Sequence, residues 1–292
     1  MYELVKVSEK CYYIESPSKV GIYKANDNDV YLIDSGADKN SAKKTLRICQ
    51  EQGFNIKGII NTHAHADHIG GNAHIQQQTG CDIFCSDIDR PFLEYPIINP
   101  LHIYGGYIPS EMCHKFFLAE KSDTKSLSDD CFPSTLKTYD ISGHSLGMIA
   151  IVTDDNIAFV GDIVSRQEII DKYGITYLLD IKKHLSSLDF VENMQADKFV
   201  MSHVDTVDDI RPLIKLNRDK IFEIQETIMR YLKTPATFED LLKKLFYHYN
   251  LKMSIMQHSL VGSTVRSYLS YMKEEGKITY IIDDNLILWK TL

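Results

Sequence analysis

Thr62-His63-Ala64-His65-Ala66-Asp67-His68 packs three imidazoles and a carboxylate into six consecutive positions, with Gly70-Gly71 just behind. Side chains of these types crowd together at a cost unless they share a partner, and imidazole mixed with carboxylate suits zinc or iron. His63 and His65, two residues apart, fall on the same side of an extended segment. Asp67 and His68 then turn towards a second position, so the spacing implies two divalent cations rather than one. A lone histidine would be read as a core or capping residue; four donors at this spacing are not.

The elements needed to position these donors are legible around them. Ile56-Lys57-Gly58-Ile59-Ile60-Asn61-Thr62 reads as a short buried strand, and Ile69 to Thr79 as a helix with its glycines at the start. The donor cluster therefore sits on a strand-to-helix connection. Strand-like runs at 2–6, 11–15, 20–24, 30–34, 58–62, 82–85, 137–142, 148–153 and 157–160 alternate with helical patterns at 39–52, 69–79 and 184–195. Such a mixture fits two sheets packed face to face with helices outside.

The pattern resembles the metallo-β-lactamase superfamily, whose His-x-His-x-Asp-His signature is followed by a distant His, a distant Asp and a last His. Val30-Tyr31-Leu32-Ile33-Asp34-Ser35-Gly36 looks like the first motif, with Asp34 orienting a metal-bound histidine. Ser142-Gly143-His144-Ser145, Phe159-Val160-Gly161-Asp162 and Lys198-Phe199-Val200-Met201-Ser202-His203 look like the later ones. The resemblance implies one metal on His63, His65 and His144, a second on Asp67, His68 and His203, and Asp162 bridging them. It also implies an α+β fold, the four-layer αββα metallo-β-lactamase sandwich, over residues 1–212. Two departures touch loops rather than ligands: Ser145-Leu146 where the family often has Thr-Pro, and Val204 where a glycine often follows the last histidine. Aspartate rather than cysteine at 162, and histidine rather than glutamate at 65, make the chain similar to glyoxalase II. So does the segment from Lys172-Tyr173-Gly174 to Ser187-Leu188.

The expected activity is that of a dinuclear metal-dependent hydrolase, in which a hydroxide bridging the metals cleaves a thioester, ester or lactone. The expected ions are two divalent metals, zinc first and iron or manganese next. Asp67 and Asp162 would both hold metal and accept a hydrogen bond from the hydroxide. Two alternatives are a phosphodiester-cleaving RNA hydrolase and a sulfur dioxygenase holding one iron on His63, His144 and Asp162.

Residues 89–135 separate two metal motifs and are rich in Pro, Gly and Tyr. A structureless loop of that length is improbable in a compact domain, so an ordered surface excursion or a lid is expected. Tyr104, Tyr107, His114 and Tyr173 are candidate substrate contacts, with plain packing roles as the competing reading.

Residues 213–292 change character. Helical periodicity over Pro212–Leu232, over Phe238–Tyr249 behind an N-cap at Thr237, and over Val261–Glu275 precedes a hairpin of 278–282 and 286–289. Helices followed by a hairpin resemble a winged helix, so a small helical, winged-helix-like domain is expected here. It carries 12 Lys and Arg against 9 Asp and Glu, leaving 20 against 31 in the rest of a chain of net charge −8. An acidic catalytic part disfavours nucleic acid as partner and leaves a small molecule, with packing or homodimerisation as the tail's role. Six cysteines without a disulfide framework, no signal-peptide pattern and no apolar run near the ~20 residues of a membrane span fit a cytoplasmic protein without membrane contact.

Overall fold

The structure, a computed structural model, describes residues 2–292. Seven strands form one sheet in chain order: β1 (Glu3–Lys6), β2 (Cys11–Glu15), β3 (Val20–Lys24), β4 (Asp29–Ile33), β5 (Asn55–Ile60), β6 (Asp82–Cys85) and β7 (Lys125–Ser126). β1 to β4 are antiparallel, and β4 to β7 run parallel. The second sheet has the order β11-β10-β9-β8, from β8 (Lys137–Asp140), β9 (Ile149–Val152), β10 (Ile157–Phe159) and β11 (Lys198–Val200).

Strand side chains alternate between faces, and here both faces are covered. Ile22, Leu32, Ile59 and Ile83 pack outward with Ala42, Ile48 and Ile75 of helices α1 (Lys39–Glu51) and α3 (Asn72–Thr79). Their neighbours Tyr23, Ile33, Ile60 and Phe84 point inward and meet Ile149, Ile151, Phe159 and Val200 of the second sheet. Ala150, Ala158 and Phe199 turn outward from that sheet to Leu188 and Val191 of α7 (Ile181–Glu192). The result is the expected αββα stack.

The single helix expected over 69–79 is two pieces, α2 (Ala66–Ile69) and α3, split at Gly70-Gly71. The glycines are there for close approach: a Cβ would stand 2.3 Å from the Ala37 carbonyl oxygen at Gly70 and 2.3 Å from that of Ser35 at Gly71. Between the second and third metal motifs the chain is ordered, as α4 (Arg90–Glu94), α5 (Ile98–Tyr104), a 3-10 turn at Ser110–Met112 and β7. Ile103, Ile108, Met112 and Phe117 of this excursion pack on Met256 and Leu260.

After α6 (Gln167–Tyr173) and α7, the chain ends in α8 (Arg211–Tyr231), α9 (Phe238–His248), α10 (Ile255–Glu274) and the hairpin β12 (Ile278–Asp283) and β13 (Leu286–Thr291). Thr237 caps α9 as expected, accepting from the Asp240 N–H at 3.1 Å. α10 starts six residues before the expected Val261, capped by Ser254, and its half-buried Met256 and Leu260 pack on the excursion. Asp284 and Asn285 both have positive φ, the requirement of a type I′ hairpin turn. The hairpin also bridges Ala236 through Trp289. The 212/213 division marks no break in packing: Ile214, Ile221 and Ile224 of α8, with Val261 and Val265 of α10, share one core with the second sheet. No helix among the described residues is long and apolar enough to cross a membrane.

Candidate metal centre

Every candidate ligand lies where a strand of the sandwich ends. His63 follows β5, and its Nε2 is 3.0 Å from His65 Nδ1, which is 3.0 Å from His144 Nε2. Three imidazole nitrogens converging at such distances have the spacing of a tetrahedral shell, whose edges are about 3.3 Å for metal–nitrogen bonds of about 2.0 Å. Asp67 and His68, in the single turn of α2, face away to His203: His203 Nε2 and His68 Nε2 lie 3.1 Å and 3.5 Å from Asp67 Oδ2. Asp162 stands between the sets. Its Oδ2 is 3.3 Å from His203 Nε2, 3.5 Å from His68 Nε2 and 3.7 Å from His144 Nε2.

Three of the five rings are held from behind. His68 Nδ1 donates to Asp34 Oδ2 at 2.9 Å, His203 Nδ1 to the Pro17 carbonyl at 2.6 Å, and His144 Nδ1 to the Tyr177 carbonyl at 3.1 Å. These partners hold a proton on Nδ1, so each Nε2 faces the centre and is the atom a metal would take. Asp34 sits at φ +61°, a left-handed conformation that Asp tolerates, and also accepts from the Thr62 N–H at 2.8 Å and hydroxyl at 2.7 Å. Gly143 (φ +129°) lets the His144 loop lie on the start of α7, where a Cβ would be 2.3 Å from the His184 nitrogen. Val204 is absorbed by the fold: its carbonyl accepts from buried Lys19 Nζ at 2.7 Å.

Electrostatics agree with cation binding. Burial pushes His63 well below the usual imidazole range, His65 down to about 3 and His144 down as well, so these three are neutral donors. At His68 burial acts the same way, but Asp67, Asp162 and Asp34 overcome it and hold the ring protonated. Asp162, against the opposing effect of burial, raises His203 to about 10. Burial works to raise both carboxylates, yet the His68 and His203 charges keep Asp67 and Asp162 low. Without ions, protonated imidazoles thus supply the positive charge that the carboxylates require. His68 Nε2 and Asp162 Oδ1 are buried with no hydrogen-bond partner. The donor set, its spacing and these two orphaned atoms fit two divalent ions.

A cavity of about 690 Å³ opens from His65, Asp67, His144, Asp162 and His203 and is lined by His114 and Tyr173. Tyr104 and Tyr107, expected as substrate contacts, lie elsewhere. Gly105, in a left-handed conformation, ends α5; Tyr104 borders a separate depression, and Tyr107 is 84% exposed. Pro17, Asn99 and Tyr177 line the site unanticipated. Pro17 and Tyr177 orient ligands through backbone carbonyls, which any residue type carries, so no sequence signal existed for them. Asn99, whose amide donates to the Ala64 carbonyl at 3.0 Å, braces the ligand loop from the excursion.

The sequence model of the metallo-β-lactamase superfamily matches residues 13–203. Among curated proteins, the hydroxyacylglutathione hydrolase of Hyphomonas neptunium is 32% identical over 149 residues, 48% of each chain, and that of Rhodospirillum rubrum 38% identical over 74 residues, 22% of this chain and 29% of its own. The chain thus spans about half the length or less of these relatives. Two solved structures cover nearly the whole chain. A β-lactamase domain protein from Burkholderia ambifaria aligns with TM-score 0.78 at 14% identity, over 99% of this chain and 94% of its own. A metallo-β-lactamase family protein from Thermus thermophilus aligns with TM-score 0.71 at 16% identity, over 100% and 98%. These identities speak for the fold alone. With the family match spanning all seven ligand positions, the chain belongs to the metallo-β-lactamase superfamily and within it is similar to hydroxyacylglutathione hydrolases.

Proposed function

We propose that this protein is a metal-dependent hydrolase of thioesters, with esters and lactones as chemically related substrates. The observation that carries the reading is the sharing of Asp162 between two complete donor sets, His63/His65/His144 and Asp67/His68/His203. Two divalent ions held there, zinc being the natural choice for these donors, would acidify a water to a pKa of about 7 and polarise the carbonyl under attack.

The chain's own residues do the rest. Asp34, Pro17 and Tyr177 keep the imidazoles oriented, so no reorganisation accompanies reaction. Asp67 and Asp162, beside His68 and His203, would hold the ions and could accept a hydrogen bond from the water they bind. Ile163 and Val164, directly after Asp162, line the cavity and exclude bulk water from one side. The single-iron reading leaves His65, Asp67, His68 and His203 without a task, and the acidic balance of residues 1–212, 20 Lys and Arg against 31 Asp and Glu, disfavours RNA.

The test is turnover of thioesters by metal-loaded protein, followed as released thiol. Activity removed by a chelator and restored by zinc, iron or manganese is expected. Absence of turnover on thioesters, esters and lactones alike, in protein carrying its metals, would overturn the proposal.

A further inference from the structure

The cavity beside the metal centre is far larger than a scissile carbonyl needs, and much of its lining is apolar. Phe117 comes from the excursion, Ile221 and Ile224 from α8, Leu260 and Val261 from α10, and Ile163 from the loop after β10. Four of these six lie beyond residue 203, outside the segment that matches the family. The C-terminal helices therefore build a wall that the shared catalytic part does not specify.

Two observations restrict what fits. Protein interiors close-pack, and an open cleft of about 690 Å³ whose inner side adjoins a hydrophobic core leaves apolar surface that an apolar group would cover. The Lys and Arg of the lining both stand beside carboxylates, Lys220 by Glu223 at 2.6 Å and Arg166 by Glu168 at 3.7 Å, so neither is a dedicated anion site. We infer that the cavity seats an apolar chain attached to the scissile bond, and that the substrate class is a thioester or ester with a medium-length alkyl or acyl chain. The inference rests on the hydrolase reading above. Hydrolysis consumes one water: its oxygen bonds to the carbonyl carbon, the carbon–sulfur bond breaks, and the products are a carboxylate, a proton and a thiol.

Two substrate series test it on metal-loaded full-length protein. One extends the acyl group of N-acetylcysteamine thioesters from acetyl to decanoyl; the other keeps acetyl and extends the thiol from ethanethiol to decanethiol. In the series whose chain enters the cavity, kcat/KM is expected to rise about fourfold for each methylene buried, the equivalent of about 0.8 kcal/mol. Which series rises tells whether the acyl or the thiol arm is seated. Leu260→Trp and Ile221→Trp, from different helices, are expected to lower the long-to-short ratio at least tenfold. Ile282→Ser, on the exposed hairpin, is expected to leave that ratio unchanged.

Titration calorimetry adds a readout independent of turnover: decanoate is expected to bind and acetate not, with Leu260→Trp abolishing the difference. Turnover with a flat or falling profile in both series would overturn the inference and leave the hydrolase reading standing. No turnover, with decanoate still bound in the cavity, would sink the hydrolase reading and keep the apolar site. Neither turnover nor decanoate binding would overturn both.

Discussion

Asp34→Asn removes one charge while preserving shape, and its effect on metal affinity follows from hydrogen-bond roles. Asp34 Oδ2 accepts from His68 Nδ1 and from the Thr62 hydroxyl, while Oδ1 accepts from the Thr62 N–H. An amide can keep only one of these faces as acceptor. With its oxygen on Thr62 N–H, its NH2 group confronts His68 Nδ1, and the ring must adopt the tautomer with hydrogen on Nε2, pointing where the second ion belongs. With the amide reversed, two donors meet at Thr62. Asn adopts positive φ readily, so the backbone at φ +61° adds no strain of its own. Loss of such an orienting partner costs about 10- to 100-fold in metal affinity, or roughly 1.4–2.7 kcal/mol. Chelator-competition titration should therefore show one weakened ion, that of Asp67/His68/His203, while the ion of His63/His65/His144 stays within about threefold of wild type. Wild-type affinity at both positions, in a variant with unchanged circular dichroism, would refute the orienting role assigned to Asp34.

Other substitutions probe the frame around the centre. Asp162→Ala removes the oxygen that both donor sets share, and both ions should weaken, by more than the hundredfold typical of an orienting partner, with thioester turnover lost. Gly143→Ala forces a Cβ onto the His184 nitrogen at a φ that L-residues avoid; chemical denaturation should show a loss of about 3 kcal/mol or more. Asp89 is buried, and burial raises its carboxyl to about 7 against the opposing amides of Gly147 and Ala64. An acid raised in this way contributes stability that is complete below its unfolded pKa and lost as pH rises through the folded value. Between pH 5 and 8 wild type should therefore lose roughly 2–3 kcal/mol more than Asp89→Asn, measured by urea denaturation at each pH in one metal state. Identical pH slopes for the two proteins would contradict this.

What could be read ahead of the fold depended on whether function constrains side-chain type. Metal ligation admits few residue types, so His63, His65, Asp67, His68, His144, Asp162 and His203 are conspicuous in the chain, and the fold brings them together. Tyr177 and Pro17 act through carbonyls and were silent, while Tyr104 and Tyr107 advertised themselves by type and lie outside the cavity. The αββα layers were legible because Ile59-Ile60 and Ile83-Phe84 are apolar on both faces. The early start of α10 was not, because Met256 of its first turn meets His114 of the excursion, 142 residues away, a contact that no local periodicity encodes.

The central claim is that this chain holds two ions at once through a shared Asp162. Elemental analysis of protein loaded with zinc and freed of excess, reported as equivalents per chain, tests it most directly. The account predicts about two equivalents for wild type, with a fall for Asp162→Ala. One equivalent in wild type, with His203→Ala leaving that number unchanged, would contradict it, because the Asp67/His68/His203 set would then hold nothing.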